Sequence, residues 1–405
     1  MQDVLEQDRL LPAAVGSTCG GVNENLECCD IAEKMPWGDR AGGVEKLMRA
    51  FGPTPALVMD TRVIRQRARR FKKALPEVRP LYAFKSNPHL VVASVLQEEG
   101  VGFEAASVGE IEALVKIGVA GESLYFSNPI KPASGISRAA DLGVEWFSFD
   151  SEDELLKIHA IKPDAKLYLR VETDNTGSDW PLTRKFGASP EECEKIVLLA
   201  QKLGADVAGV TFHVGSQCRR PGNWKLGIEN AMRIFGLMKE AGLFPRFLNL
   251  GGGYPVPMDK PVPSIEEIAC VIRQALRLVP PEVTVVAEPG RYLVAEAGTL
   301  ACRVVGTARR RGKRWVYLDA GVFGGLVEAS EAFRYPIRTS RTGNLVPSSV
   351  AGPTCDSMDV IWEHCLLPED LQEGDMVLMG SAGAYTTAYA STFNGFALPE
   401  VMFIR

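Results

Sequence analysis

Eight short apolar runs recur along the chain, each closed by a polar, charged or glycine residue. They read LYAFK (81–85), VGFEAAS (101–107), LYFSN (124–128), WFSFD (146–150), LYLRV (167–171), VTFHV (210–214), FLNLGGG (247–253) and VVAEPGR (285–291). The stretches between most of them have helical character, as in ASVGEIEALVKIG and SPEECEKIVLLAQKLG. Buried strands alternating with amphipathic helices predict an α/β fold, a (β/α)8 TIM-like barrel. Such a barrel carries its active site at the C-terminal ends of its strands. The pattern therefore gathers Lys85, Glu104, Asn128, Asp150, Arg170, His213, Gly251 to Gly253, Glu288 and Arg291 around one mouth.

The flanks read differently. Residues 1–45 show no clear period and are expected to form a loosely held arm. VEKLMRAFG (44–52) predicts a short helix ended by Gly52-Pro53, PALVMD (55–60) a strand, and TRVIRQRARRFKKAL an amphipathic helix. The barrel is assigned to 46–295, with its opening strand a candidate member of the next domain. From 296 to 405 the runs GTLACRVVGTARR, KRWVYLDAG, SSVAGPTCDSMDVIWE, GDMVLMGSAGAYT and PEVMFIR have β character and glycine or proline punctuation. They predict a C-terminal antiparallel β domain. SDWPLTRKFGAS (178–189) is polar and is expected to be a loop on the catalytic face.

Composition narrows the function classes. The 405 residues are 46% hydrophobic and 23% charged, enough for a large core. A net charge of -5 gives no basic field, so neither nucleic acid nor an anionic membrane surface is an expected partner. No apolar run approaches the ~18 residues of a membrane span. The N-terminus lacks the basic start and apolar core of a signal peptide. Nine cysteines at irregular spacing, including Cys19, Cys28 and Cys29, fit free thiols in a reducing cytoplasm. The histidines His89, His159, His213 and His364 do not cluster, and no metal site is expected.

The rim residues suggest one chemistry. A lysine on an inner barrel rim, here Lys85, is either solvated or a desolvated nucleophile. Gly251 to Gly253 let backbone N–H groups approach an anion, and Arg291 after the eighth strand adds a fork of donors. Glu288 is either a partner for a rim arginine such as Arg170 or a carboxylate that holds a proton on a heterocyclic nitrogen. His213 could lie flat on such a ring or be structural. A Schiff-base lysine, a phosphate cradle and an opposing carboxylate together describe a pocket for pyridoxal 5'-phosphate.

Several motifs, YAFKSN (82–87), GFEAAS (102–107), FHVGSQ (212–217), NLGGGYP (249–255), AEPGRY (287–292), GPTCDSMD (352–359) and GAYTTAYASTFNGF (383–396), occur in this order. From about residue 50 to 405 the chain resembles the fold-type III pyridoxal-phosphate decarboxylases of the ornithine/diaminopimelate/lysine group. The resemblance implies that Lys85 carries the cofactor, Glu288 pairs with its ring nitrogen and His213 stacks on its face. It implies Ser216, Gly252, Gly253, Arg291 and Tyr385 at the phosphate, with Glu104 and Arg170 as supporting polar groups. It also implies a cytoplasmic homodimer with shared active sites. In that dimer Cys355 of one subunit would protonate Cα after CO2 leaves, Asp356 would bind the distal amine, and Phe393 would lie nearby. Cys355-Asp356 resembles the ornithine-type enzymes of polyamine biosynthesis. Ser330-Glu331 stands where eukaryotic members have Tyr-Asp, which leaves ornithine, lysine, diaminobutyrate, diaminopimelate or a modified basic amino acid as the substrate. An amino-acid racemase is disfavoured by Glu288, and a catalytically silent regulator by the retained site residues.

Overall fold

The computed structural model describes Leu10–Leu11 and residues 38–182, 184–331 and 333–405. Cys19, Cys28, Cys29 and most of the 1–45 arm lie outside the described residues. The remaining chain divides into two compact units.

The barrel unit comprises Arg65–Pro255 and Val262–Leu293. Its eight parallel strands are Arg79–Ala83, Gly102–Ala105, Leu124–Phe126, Trp146–Phe149, Lys166–Arg170, Val207–Thr211, Phe247–Asn249 and Thr284–Ala287. They pair in chain order, and the eighth closes onto the first through Val286–Arg79 and Ala287–Pro80. Leu81, Tyr125, Tyr168 and Phe247, from the first, third, fifth and seventh strands, form a buried cluster together with Val286 of the eighth. A layer contributed by alternate strands is how a barrel of this size fills its interior. Tyr125 stacks on Phe247 at 5.5 Å, so the interior is packed and the open end is the rim.

The helices start where the sequence supplies caps. Ser107, Ser151, Ser189 and Ser264 each accept a hydrogen bond from the backbone N–H three residues on. Ser189 with Glu192 and Ser264 with Glu267 complete capping boxes, satisfying two otherwise orphaned donors apiece. Gly204 ends its helix in the left-handed region (φ 66°), as a glycine C-cap allows. The segment expected as a loop after the fifth strand differs in one respect. Ser178–Trp180 pairs antiparallel with Ser216–Cys218, a short hairpin whose two arms are distant in sequence and so invisible to local pattern.

The β unit comprises the chain up to Ile64, Val256–Pro261 and Val294–Arg405. Its sheet runs Leu10–Leu11, Glu400–Ile404, Ala56–Asp60, Gly298–Arg310, Lys313–Leu318, Leu345–Ala351 and Val360–Pro368, with Met376–Met379 attached to the long fourth member and Ile337–Thr339 attached to Met376–Met379. Most pairings are antiparallel; Leu10–Leu11 with Glu400–Ile404, Ala56–Asp60 with Glu400–Ile404, and Lys313–Leu318 with Leu345–Ala351 are parallel. The helix expected from residue 44 begins at Gly38, inside the expected arm. Ala41, Val44 and Met48 lie on one face and bury against Ala56, Val58, Ala301, Met376, Leu378 and Met402. Gly42 and Gly43 lower local helix propensity, which hid the first turns, and packing of that face overrides it. No helix among the described residues is long and apolar enough to cross a membrane.

Candidate active site

Lys85 follows the first barrel strand, in a single turn of 3-10 helix over Phe84–Ser86. Its neighbours Phe84 and Ser86 are buried while its own side chain is 43% exposed, so the backbone is fixed and the amine stands in the mouth. Lys85 Nζ forms an ion pair with Glu104 Oε1, from the end of the second strand. Glu104 is fully buried, and its other oxygen, Oε2, has no hydrogen-bond partner among the described residues. Burial raises the Glu104 pKa to about 7; Lys85 opposes the shift, and the Glu288 charge adds to it.

Glu288 follows the eighth strand and, among the described residues, is held by one carboxylate oxygen only. Its Oε1 accepts hydrogen bonds from Ser127 Oγ (2.9 Å) and Asn249 Nδ2 (2.7 Å). The Asn249 amide is oriented by Gly251 N–H, which donates to Asn249 Oδ1 at 2.9 Å. Since Ser127 gives its hydrogen to Glu288, Tyr168 Oη donates to Ser127 Oγ across 2.9 Å. Burial first, then Glu288, pushes the Tyr168 phenol far above its ordinary value, so it keeps that hydrogen. The backbone N–H of Glu288 donates to Gly251 O at 2.8 Å. Carboxylate and glycine loop are thus tied together twice.

His213 lies just past the sixth strand. Its Nδ1 accepts from Gly215 N–H at 3.0 Å, which places the hydrogen of the neutral ring on Nε2. Burial, reinforced by the Arg170 and Lys85 charges, pushes its pKa well below the usual imidazole value. Arg170 ends the fifth strand with its guanidinium 5.1 Å from the Phe186 ring centroid. Asp150 Oδ2 accepts from Gly187 N–H at 2.9 Å, and burial raises its pKa.

The glycine run makes a close-fitting floor. A Cβ at Gly252 would come within 2.9 Å of both Glu288 O and His213 Nε2. Gly253 has φ 93°, and a Cβ there would stand 2.3 Å from Gly215 O. Arg291, 4% exposed, donates from Nη2 to Ser216 Oγ at 3.3 Å. Glycine backbone, a hydroxyl and a guanidinium with no carboxylate among them form a donor set suited to a phosphate. An amine, an orphaned buried carboxylate oxygen, a rigid carboxylate and this cradle fit pyridoxal phosphate.

Every expected rim residue thus lies in the barrel unit. Cys355, Asp356, Glu331, Phe393 and Tyr385 belong to the β unit. Tyr385 adopts a left-handed backbone (φ 56°) with its ring 5.9 Å from Tyr389. Phe393 packs on Phe323 at 4.6 Å. Cys355 is exposed, with Sγ 3.2 Å from Asn394 Oδ1. Asp356 Oδ1 accepts from Met358 N–H at 2.8 Å. Glu331 is exposed at the end of the short helix Val327–Glu331, whereas Glu328, one turn earlier, is buried.

Three groups escaped sequence reasoning. Ser127 and Asn249 lie within the runs LYFSN (124–128) and FLNLGGG (247–253), and their places at the strand ends are the available signal. Asp359, 2% exposed, was one acidic residue among many. Its Oδ1 accepts from Val322 N–H (2.7 Å), and its Oδ2 from Thr354 N–H (3.0 Å) and Thr354 Oγ1 (2.7 Å). It clasps the segment after Gly321 to the Cys355 loop. No grouping of metal-ligating side chains exists among the described residues.

A barrel mouth that pairs a lysine, a fixed carboxylate and a phosphate cradle defines a pyridoxal-phosphate enzyme site. Comparison with known proteins agrees. Residues 61–295 match the family described as pyridoxal-dependent decarboxylase, pyridoxal binding domain. The chain is 40% identical over 349 residues to antizyme inhibitor 2 of Xenopus laevis, covering 81% of this chain and 76% of that one. It is 37% identical over 369 residues to ornithine decarboxylase of Mus musculus, covering 86% and 80%. The crystal structure of lysine/ornithine decarboxylase from Vibrio vulnificus complexed with cadaverine superposes with a TM-score of 0.82 at 37% identity, covering 90% and 98%. The chain belongs to the pyridoxal-phosphate-dependent amino-acid decarboxylases.

Proposed function

We propose that this protein removes CO2 from a basic L-amino acid of the ornithine type, releasing a diamine, as a homodimer with shared active sites. The observation that carries the reading is the Lys85–Glu104 pair and the Ser127–Asn249 grip on Glu288 in one barrel mouth. When bound, pyridoxal phosphate supplies the sink for the electrons left behind by CO2. Lys85 Nζ would hold the cofactor covalently, and whenever that bond is open Glu104 Oε1 would hold Lys85 as the ammonium of the ion pair seen here. Glu288 Oε2, which carries no hydrogen bond among the described residues, would accept a hydrogen bond from the protonated ring nitrogen and so keep the proton there. Ser216, Gly252, Gly253, Arg291 and Tyr385 bind the phosphate. Neutral His213 packs on the ring face without repelling a protonated ring, and Arg170 offsets the buried negative charge of Glu288 and Glu104. Cys355 of one subunit delivers the proton to Cα in the other subunit's site. Asp356, helped by Glu331 and Phe393, pairs with the distal ammonium.

Supporting this choice over a diacid substrate is the acidic character of Asp356 and Glu331. Relatives named for ornithine and lysine decarboxylation point the same way. The test is a panel of ornithine, lysine, diaminobutyrate, arginine and diaminopimelate, assayed for CO2 and amine. Ornithine is expected to give the highest kcat/KM, and Lys85→Ala to abolish release. Release from diaminopimelate alone would overturn the substrate class. A second reading, a silent regulator, is favoured by the identity to antizyme inhibitor 2. It wins if the protein binds cofactor yet releases CO2 from nothing on the panel.

A further inference from the structure

The Cys355 loop is gripped by a residue to which the proposed mechanism gives no role. Asn394 presents a single oxygen, Oδ1, to both the backbone N–H of Cys355 (3.0 Å) and its Sγ (3.2 Å). The backbone bond fixes which end of the amide faces the cysteine, because a peptide N–H can only donate. The sulfur therefore also faces an acceptor, and the thiol turns its hydrogen onto Oδ1. Asn394 reaches this position because its own backbone is left-handed (φ 56°, ψ 14°), a conformation that asparagine tolerates well. The turn is anchored on both sides: Gly395 N–H donates to Thr392 O at 2.9 Å, and Ser391 N–H donates to Phe323 O at 2.9 Å. The Phe393 ring packs on Phe323 at 4.6 Å. A side chain held at these points is in place before any substrate arrives.

We propose that Asn394 is a positioning residue for proton delivery: its amide oxygen sets the thiol's orientation and holds its hydrogen until the reacting carbon is presented. The inference rests on the assignment of Cys355 as the acid. The bond balance gives it a distinctive readout. A proton delivered from sulfur to Cα forms a C–H bond there, and the substrate nitrogen leaves with the product as an amine. A proton delivered instead to the cofactor's carbon leaves the substrate nitrogen on the cofactor. One water then supplies the oxygen of an aldehyde product. CO2 is released either way, so the aldehyde-to-amine ratio reports where the proton went, independently of how fast CO2 leaves.

The experiment uses the holoenzyme and three variants, Asn394→Gly, Asn394→Asp and Cys355→Ala, with the amino acid that gives most CO2. The first readout is the aldehyde-to-amine ratio. The second is the rate at which iodoacetamide alkylates the Cys355 peptide, followed by mass spectrometry at one pH. Asn394→Gly keeps the left-handed backbone and loses the acceptor; alkylation should rise roughly threefold to tenfold, the worth of one hydrogen bond. Asn394→Asp keeps the geometry and holds the hydrogen more firmly through a charged acceptor, so alkylation should fall below wild type. Both variants should raise the aldehyde fraction. Loop damage alone would speed alkylation in both, so a rise in Asn394→Asp overturns the proposal. An unchanged aldehyde fraction in both Asn394 variants, with a raised one in Cys355→Ala, also overturns it and leaves Cys355 as the acid. An unchanged fraction in Cys355→Ala removes the reading on which the inference stands.

Discussion

The barrel rim and the loops of the β unit hold their acidic side chains in opposite ways. On the rim, Glu288 is gripped by side chains from two strand ends, Ser127 after the third and Asn249 from the seventh, with Tyr168 inside the fifth strand backing Ser127 one bond further on. In the β unit, Asp359 is gripped almost wholly by backbone N–H groups of irregular loops, Val322 and Thr354, with one hydroxyl in addition. Barrel geometry fixes a strand end whatever its side chain is, so the rim supports precise, desolvated chemistry. A loop has no such scaffold, and one buried carboxylate acts as its frame. The difference teaches that the cofactor side should be robust in shape and sensitive in charge. The β-unit side should be sensitive in shape.

Glu288→Gln tests the first half most severely. The amide preserves volume and keeps an acceptor for Ser127 and Asn249, but it brings no negative charge to the ring nitrogen. Turnover should fall on the order of 10^2- to 10^3-fold, while the absorbance of bound cofactor remains. A loss under tenfold would break the assignment of Glu288. Asp359→Ala tests the second half. Three donors lose their acceptor, the loops on either side relax, and kcat should drop on the order of tenfold to a hundredfold through misplacement. Cofactor affinity, read by titration, should stay near wild type. A variant that loses cofactor as readily as it loses turnover would show that the two sides are not separable as described.

The same contrast explains what the sequence disclosed. Each expected cofactor residue, from Lys85 to Arg291, follows an apolar run, and a barrel places every such position at one mouth. Position in the pattern brings these side chains to one rim; the roles proposed for them there come from the resemblance. Ser127 and Asn249 occupied equally informative places, yet their importance lies in whose oxygen they face, which only three dimensions supply. In the β unit, pattern gave strands but not loops. Glu331 is expected from the resemblance alone, and the structure shows it exposed at the end of Val327–Glu331 while Glu328 is buried, a contrast no local pattern in five residues carries. Asp359 and Asn394 act across separations of 37 and 39 residues, beyond any local signal.

The gentlest test concerns Glu104, where the rim's robustness in shape meets its sensitivity in charge. Its carboxyl has a folded pKa of about 7 against an ordinary 4.5, raised by burial and by Glu288 against the pull of Lys85. Between those two values the folded protein binds more protons than the unfolded chain. Stability from this group is therefore fully present below about pH 4.5 and is lost as pH rises toward and through 7. The expected loss is roughly 1–3 kcal/mol, or a few degrees in Tm. Glu110 and Asp150 also have raised values from burial, so the wild-type slope is a sum. Glu104→Gln isolates one contribution: it cannot ionise, and Lys85, nearly half exposed, remains solvated without its partner. Thermal unfolding of cofactor-free protein at pH 5 and pH 8 should show a smaller fall in Tm for the variant than for wild type. Equal falls would mean that Glu104 is already ionised throughout. In that case the carboxylate receives the lysine amine as a permanent charge and stores no proton, and the acid–base work of the rim rests on other groups.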